Sequence, residues 1–317
     1  MIRNSTAADQ RIPTTSNALI LAAQLVALGV CFGLAARVHG FGPLAALAIG
    51  FAILMNSVYS IIHEAEHAML FPNRKLNDWA GIVMALFFPA PFHLLRQGHI
   101  GHHLRNRSDD EAFDLYFEGD NPLWRWMVWI GILTGMYYLL VVLSNIIAAA
   151  LPFVLDRRHF TIERHVKLDR PGAAFLESFN AAHLRWIRFE GIAVITLHAA
   201  ILCLLHVPWL TYLAIYGTFG FSWSAMQYVH HYATERHVTR GARNLRLFAP
   251  IDAIWLNHNW HRVHHEHPTV PWVYLPRLAP ESQERRGFLP LAYLRMWHGP
   301  RRTDQHIENK YAGRIIQ

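Results

Sequence analysis

The sequence predicts an all-α integral membrane protein, with two transmembrane helical hairpins, interfacial helices and a cytoplasmic cap that carries a histidine-rich metal site. Three observations predict this fold class. The 317 residues are 53% hydrophobic but only 16% charged, whereas soluble domains average about 25% charged residues. Long stretches contain no Asp, Glu, Lys or Arg, and the chain has 22 His, several of them in short clusters.

The first predicted hairpin has its spans at residues 15–36 and 40–62. Charged residues are missing from 12–36 and again from 38–62. Each stretch therefore supplies the roughly 20 apolar residues that a membrane helix needs. The sequence "HGFGP" between them is typical of a tight turn, so the chain returns to its starting side just before the first histidine cluster.

The second predicted hairpin has its spans at 191–207 and 209–230. The stretch 191–234 is free of charged residues and is too long for a single span. Pro208 interrupts it near the middle, where a proline favours a break between two helices. This hairpin would deliver the histidine pair of "QYVHHY" to the same membrane face as the first cluster.

Two other apolar segments, 79–95 and 126–155, are predicted to be interfacial or re-entrant. A single span over 126–155 would place His231 on the membrane face opposite to His63. If the histidines form one site, that segment must enter and leave on one side. We therefore predict a single membrane domain over 1–317, in which 231–317 belongs to the cytoplasmic cap.

The distribution of positive charge predicts the orientation in the bilayer. With two hairpins, Arg37 alone among the 29 Lys and Arg falls on the far side. Because positive charge stays on the cytoplasmic face, we expect the histidines and both termini to be cytoplasmic, in a bacterial inner membrane. The same bias explains the net charge of +7 without nucleic-acid binding.

Four histidine clusters carry the functional signal. They are "HEAEH" with His63 and His67, "HIGHH" with His99, His102 and His103, "QYVHHY" with His230 and His231, and "HRVHH" with His261, His264 and His265. Positions i, i+3 and i+4 share one face of a helix, so each cluster can direct several imidazoles at one point. One tetrahedral zinc uses three or four ligands, so nine histidines would supply two metal ions.

Two other classes of protein also use such residues. "HEAEH" fits H-E-x-x-H, in which two histidines hold zinc and a glutamate, here Glu64, activates water for peptide hydrolysis. A zinc protease would leave about six clustered histidines unexplained. A metal transporter or chaperone would need polar groups along a pathway inside the spans, whereas these histidines lie at span ends on one side.

The stretches "HEAEHAMLFPNRKLND" and "NHNWHRVHHEHPTVPWVYLP" resemble the first and third histidine boxes of the membrane-bound fatty acid desaturase and hydroxylase superfamily. Members of this superfamily are integral membrane di-iron enzymes with three such boxes. The resemblance implies a histidine-rich di-iron site. It implies these iron ligands: His63, His67, His99, His102, His103, His231, His261, His264 and His265. His230 is the rival of His231.

Further residues are expected close to the predicted metal site. Asn259 would support it through a water or a ligand hydrogen bond. Glu64, Glu66 and Glu266 would accept hydrogen bonds from imidazole N–H groups, because carboxylates commonly orient metal-bound histidines. Arg96, Arg105 and Arg262 are candidates for holding an anionic substrate head group.

The resemblance implies two iron ions, O2 as co-substrate and an acyl-lipid or fatty acid substrate drawn from the bilayer. Desaturation is the first choice, and the alternatives are decarboxylation of a free fatty acid to a 1-alkene and hydroxylation or ketone formation. The sequence has no C-x-x-C pair, no G-x-G-x-x-G loop and no evident haem segment. We therefore predict an external electron donor of the ferredoxin, rubredoxin or cytochrome type, docked on the basic face.

Overall fold

The computed structural model describes residues 10–155, 170–279 and 286–316, and within these the chain is mostly helical. The α-helices are α1 Thr14–Ala35, α2 Phe41–Glu66, α3 Arg74–Phe87, α4 Phe92–Arg105, α5 Pro122–Thr134, α6 Met136–Ala150, α7 Arg170–Ser178, α8 Leu184–Leu204, α9 Trp209–Val229, α10 Ala249–Ile254, α11 His261–Glu266, α12 Leu275–Leu278 and α13 Leu289–Met296. Short 3-10 helices cover Asp109–Glu111, Pro152–Leu155, Ala181–His183 and Trp272–Tyr274. The prediction of a mostly helical fold is confirmed, whereas the number of membrane hairpins stays a prediction.

Four two-residue strands complete the described structure: β1 Leu115–Tyr116, β2 Leu245–Arg246, β3 Gly287–Phe288 and β4 Arg301–Arg302. β1 pairs with β4 and β2 with β3, both in parallel. Each pair therefore ties the end of the chain back to an earlier segment. Parts of the predicted cap, 280–285 and residue 317, and the N-terminal residues 1–9 lie outside the described residues.

Within the described ranges, three helical segments are long and apolar enough to cross a membrane: Thr14–Ala35, Phe41–Glu66 and Ala181–Leu204. They correspond to three of the four predicted spans. The fourth, 209–230, is the 21-residue helix α9, but it is not among the helices that reach a typical span's hydropathy. Its aromatic and small polar residues lower that hydropathy, and it packs in the protein interior against α2.

The core at the centre of the spans is aromatic. Phe51 of α2 lies 5.0 Å from Tyr216 of α9 between ring centroids, and Phe88 lies 4.9 Å from Trp223. All four side chains are buried. Such edge-to-face aromatic pairs contribute about 0.5–1.5 kcal/mol beyond the burial of their surface. The Phe51–Tyr216 pair holds α2 beside α9, and the Phe88–Trp223 pair joins the end of α3 to α9.

The segment around 79–95 forms two helices, α3 and α4, which meet at 100°. Pro89 and Pro91 lie in the break, where proline cannot continue a helix. The start of α3 is fixed to the end of α2, because Asn77 donates a hydrogen bond to the Ala65 carbonyl at 2.9 Å. The bend then returns α4 and its histidines to the same end of α2.

The segment 126–155 is also bent, with α5 and α6 meeting at 94°. Gly135 joins the two helices with a φ of 93°, a left-handed conformation that favours glycine. A Cβ at this position would lie 2.9 Å from backbone atoms of Phe221 in α9. The bend therefore needs both the conformational freedom and the small size of glycine, and the membrane path of the segment stays a prediction.

Replacement of Gly135 by alanine is expected to destabilise the protein by about 2–5 kcal/mol. The left-handed conformation costs about 1–2 kcal/mol for a residue with a Cβ, and overpacking costs about 1–3 kcal/mol. Gly119→Ala is the matched control, because Gly119 has a φ of 84° but open space around its Cβ position. Thermal unfolding in detergent should show the larger loss for Gly135→Ala, and equal losses would contradict the close contact with α9.

One helix of the predicted cap, α13, contacts the helices of the bundle. The Tyr293 hydroxyl of α13 donates a hydrogen bond to the Leu133 carbonyl of α5 at 3.0 Å. Its ring also lies 6.0 Å from that of Phe221 in α9. Leu294 and Trp297 are exposed beside these contacts. We therefore place α13 against the helical bundle, while the cytoplasmic position of the rest of 231–316 stays a prediction.

Candidate metal centre

The structure brings the nine predicted ligand histidines into two adjacent groups. Site 1 contains His63, His67, His99, His103 and His264. Site 2 contains His102, His231, His261 and His265. Within each site the ligand nitrogens lie within 4.8 Å of one another. The two sites adjoin, since the rings of His103 and His265 are stacked with centroids 4.3 Å apart.

Both H-x-x-H-H motifs serve both sites. In α4, His99 and His103 belong to site 1 and His102 belongs to site 2. In α11, His264 belongs to site 1, whereas His261 and His265 belong to site 2. The i and i+4 residues of a helix point in nearly the same direction, whereas the i+3 residue is turned away from the i+4 residue by about 100°. One turn of helix can therefore supply ligands to two neighbouring sites.

In site 1 the Nε2 atoms approach one another closely. The distances are 2.8 Å between His67 and His99, 3.1 Å between His99 and His103, and 3.0 Å between His103 and His264. His63 is buried, and its Nε2 has no hydrogen-bond partner among the described residues. A single ring nitrogen either carries a proton or offers a lone pair, so this convergence suits lone pairs directed at one cation.

Site 2 shows the same geometry. The Nε2 atom of His261 lies 2.9 Å from that of His231 and 3.2 Å from that of His265. The Nδ1 atom of His231 lies 2.8 Å from the Gly241 carbonyl, so Nδ1 carries the proton and donates it there. That hydrogen bond leaves the Nε2 lone pair directed into the site, as outer hydrogen bonds do for metal-bound histidines.

These residues fit iron. Imidazole nitrogens bind divalent metals at about 2.1 Å, so neighbouring ligands at right angles would lie about 3 Å apart. The nitrogen–nitrogen distances of 2.8–3.2 Å match this spacing. Imidazole suits iron as well as zinc, and the five histidines of site 1 exceed the four ligands of a tetrahedral zinc site.

The protein also keeps the histidines in the form that binds metal. Burial, followed by the positive charge of Arg96, lowers the pKa of His67 to about 3. Burial and the neighbouring imidazoles likewise lower the pKa of His261, His264 and His265 well below 6.5. A neutral imidazole is the ligand form, so these side chains need not lose a proton at pH 7 before binding a cation.

Glu111 orients a histidine of site 2, and the sequence did not single it out. Its Oε1 atom lies 2.7 Å from Nδ1 of His102. Arg105 holds the second carboxylate oxygen, with an Nε–Oε2 distance of 3.3 Å. The acidic run that begins at Asp109, soon after the second histidine box, was the available signal. Its contact with His102 depends on the turn after α4, which spacing does not reveal.

The three predicted supporting carboxylates lie in different surroundings. Glu64 accepts a hydrogen bond from the Trp272 backbone at 3.1 Å, and its other oxygen is 3.9 Å from Nδ1 of His63. Glu66 is buried, with Oε2 4.0 Å from Nδ1 of His99. Glu266 instead forms an ion pair with Arg262 at 3.0 Å. Glu64 and Glu66 therefore lie beside site 1, whereas Glu266 pairs with Arg262, which belongs to neither site.

His230 and Asn259 lie next to site 2 without joining either group. The ring of His230 is 4.6 Å from that of His261, and the residue is fully buried. Asn259 is also fully buried and donates a hydrogen bond to Asp252 at 2.6 Å. Of the two neighbouring histidines, His231 thus has the geometry of a ligand.

The three arginines suggested for a substrate head group differ in exposure. Arg96 is buried, and its guanidinium pairs with Asp78 and donates a hydrogen bond to the Ala65 carbonyl. Arg105 is buried beside Glu111. Arg262 is partly exposed and lines a surface pocket. Among the three, Arg262 is therefore the one with access to a bound anion, and the head-group role stays a prediction.

Replacement of Glu111 by glutamine is expected to lower metal retention or turnover about 10- to 100-fold. Outer partners of ligand histidines commonly contribute that much, because they fix the ring orientation and the tautomer. Asp110→Asn is the matched control, since Asp110 accepts a hydrogen bond from Asn309 rather than from a histidine. Iron content after dialysis against a chelator should separate the two variants, and equal retention would contradict the orienting role.

The fold and the two sites together define a helical membrane protein with a histidine-rich centre at the ends of its spans. A model of the fatty acid desaturase family matches residues 40–300, which is most of the chain. The chain belongs to the fatty acid desaturase family, and the resemblance seen in its histidine boxes is confirmed.

A distant sequence similarity to a desaturase also supports the family assignment. The sphingolipid delta(4)-desaturase DES1 of Bos taurus is 22% identical over 241 residues. The match covers 74% of this chain and 64% of the bovine protein, a little less than two thirds of the relative's length. Family membership therefore favours the desaturase interpretation of "HEAEH" over the protease interpretation.

Proposed function

We propose that the protein uses O2 to desaturate the hydrocarbon chain of a membrane lipid or fatty acid. The observation that carries this proposal is the pair of adjacent all-histidine sites in a chain of the fatty acid desaturase family. The similarity to a protein named as a sphingolipid desaturase favours removal of two hydrogens over the other outcomes. Hydroxylation and decarboxylation remain the outcomes against which the proposal is tested.

In this proposal the nine histidines of sites 1 and 2 hold two iron ions. When bound, the iron and O2 supply an oxidant strong enough to break an unactivated C–H bond. The chain's own contribution is orientation and burial. Gly241 and Glu111 fix the rings of His231 and His102, and the buried imidazoles exclude water that would compete with a hydrocarbon for the site.

A small cavity lies beside site 1, and in this proposal it receives the reacting carbon. It is lined by Ser60, His63, Glu64, Leu256, His258, His264 and Leu275. His63 and His264 belong to site 1, while the ring of His258 lies 5.5 Å from that of His261 in site 2. The cavity is about 10 Å³ in volume, room for about one methylene-sized group, so a single carbon of the lipid chain would lie there beside site 1 and the apolar side chains of Leu256 and Leu275.

The proposal includes an external electron donor and a cytoplasmic active site. O2 activation consumes electrons, and the sequence carries no evident redox cofactor motif of its own. The excess of Lys and Arg over Asp and Glu, 29 against 22, favours an acidic carrier through electrostatic steering. The positive-inside rule supports the orientation, and a bacterial inner membrane stays a prediction.

The deciding experiment is expression in a bacterial host with a reductase and ferredoxin, followed by mass spectrometry of lipids and headspace gas. Cells should be fed a perdeuterated fatty acid and compared with cells that make His63→Ala. Desaturation predicts a product that keeps every carbon and loses two deuterium atoms, absent from His63→Ala cells. A hydroxylated product, or a volatile alkene one carbon shorter, would overturn desaturation.

A further inference from the structure

The turn that follows α10 has an unusual backbone beside the cavity of site 1. Leu256 and Asn257 have φ angles of 48° and 56°, in the left-handed region that residues with a Cβ rarely adopt. Asparagine tolerates this conformation, whereas it is unfavourable for leucine. Leu256 lines the cavity and is only 3% exposed. Strained residues persist where the surrounding structure fixes them, and they cluster at sites that hold a ligand.

Hydrogen bonds from α2 fix the first half of this turn. The Ser57 hydroxyl donates to the Ile254 carbonyl at 2.5 Å. The Ser60 hydroxyl lies 3.0 Å from the carbonyl oxygen of Trp255, which directly precedes Leu256. Because α2 also carries ligands of site 1, these contacts hold the Leu256 side chain at a fixed position relative to that site.

The second half of the turn is fixed from the other side of the cavity. The side-chain amide of Asn257 donates a hydrogen bond to the Trp272 carbonyl at 3.2 Å. The backbone N–H of Trp272 in turn donates to Glu64 at 3.1 Å, and Glu64 lines the same cavity. The backbone on both sides of Leu256 is therefore held in place, which leaves its side chain little freedom to move away from a ligand.

The same turn joins the cavity to a surface that faces the bilayer in the predicted orientation. Ile254 is 46% exposed, two residues before the buried Leu256, a separation of at most about 7 Å along the chain. The indole N–H of Trp255 donates to the Ile53 carbonyl of α2 at 3.0 Å, and α2 is long and apolar enough to cross a membrane. We therefore expect Ile254 to lie at bilayer depth, close to the cavity.

We propose that Leu256 determines which carbon of the lipid chain is oxidised. This inference rests on the proposed function and adds to it the residue that sets the position of the reaction. A chain that enters from the bilayer beside Ile254 would pack against Leu256 where it reaches site 1. Because the cavity of about 10 Å³ admits about one methylene-sized group, the fixed leucine side chain keeps the neighbouring carbons out of reach.

The first test compares Leu256→Ala with Leu28→Ala in cells fed a fatty acid and supplied with reductase and ferredoxin. Leu28 is the matched control, because it is fully buried in the same apolar core but does not line the cavity. One methylene more or less in an apolar pocket changes selectivity by about 10- to 200-fold. We expect Leu256→Ala to raise oxidation at the adjacent carbon, relative to the wild-type position, by at least about 10-fold, and Leu28→Ala to leave this ratio unchanged. Mass spectrometry of fragmented lipids locates the oxidised carbon.

A second test requires no turnover. Cells that make the wild-type protein are fed a fatty acid with a diazirine in the middle of its chain, and their membranes are irradiated. The labelled residues are then identified by mass spectrometry of peptides. Because Leu256 is buried, lipid in the bilayer can label it only by entering the cavity. We expect label on Leu256 and none on Leu28.

These results separate the role of Leu256 from the proposed desaturation. A hydroxylated product would overturn desaturation, but the position of its oxygen would still report on Leu256. An unchanged position of oxidation in Leu256→Ala, or an equal change in Leu28→Ala, would overturn the role of Leu256. If Leu256→Ala does not fold, or no oxidation product forms, the diazirine label decides, and its absence from Leu256 would overturn the proposal.

Discussion

The variant His261→Ala is expected to lose oxidation of lipid chains by more than about 100-fold, since even the outer partners of ligand histidines contribute 10- to 100-fold. His261 lies at the centre of site 2, with its Nε2 atom close to those of both His231 and His265. Its removal leaves three histidines in that group, while the five of site 1 remain. Iron content should therefore fall by about half, because site 1 keeps its ligands.

The control for this prediction is His39→Ala. His39 is exposed in the turn between α1 and α2. It precedes His63 by 24 residues, which corresponds to about 36 Å along the axis of α2. It should keep full iron content and turnover. Iron per chain, measured by elemental mass spectrometry on protein that elutes as a single species, separates metal loss from misfolding. If His261→Ala kept both irons, the assignment of site 2 would be wrong.

The sequence was sufficient to identify the helices and the clusters of histidines, because both depend on local spacing. Apolar stretches of membrane length predict helices directly, and i, i+3, i+4 spacing predicts a shared helix face. The division of ligands between the sites was not predictable in this way. His99 and His102 come from one motif yet face different sites, since their grouping depends on where α2, α9 and α11 lie around α4.

Contacts between distant segments explain what sequence reasoning missed. Glu111 reaches His102 through the turn that follows α4, and Gly241 reaches His231 through a loop that folds back on α9. The suggested head-group residue Arg96 forms an ion pair with Asp78 that the sequence did not predict. Spacing along the chain identifies residues that share a helix face, but charge partners depend on packing between helices.

One such contact network joins the two helices that deliver His102 and His231. Arg107, just after α4, forms an ion pair with Asp114 and donates a hydrogen bond to the hydroxyl of Tyr228 at 2.7 Å. Tyr228 in turn donates to Asp114 at 2.7 Å. Burial alone would lower the pKa of Arg107, but Tyr228 and Asp114 raise it above its ordinary value, so the guanidinium stays charged.

The variant Asp114→Asn is therefore expected to destabilise the protein by about 3–5 kcal/mol, the usual cost of breaking a buried ion pair by removing one partner. Asp114 and Arg107 are at most 1% exposed, so water cannot replace the lost charge. The matched control is Asp304→Asn, because the Asp304 side chain is 83% exposed beside Arg302 and surface pairs contribute little.

Chemical or thermal unfolding of Asp114→Asn and Asp304→Asn measures how much each variant loses in free energy of unfolding. A loss for Asp114→Asn no larger than that for Asp304→Asn would show that this network does not stabilise the fold. Tyr228→Phe removes the hydrogen bonds to Arg107 and Asp114 but no charge, so its loss should lie between those of the other two variants, at about 1–3 kcal/mol. Because the network joins the ends of α4 and α9, Asp114→Asn should also release iron from site 2 more readily than Asp304→Asn.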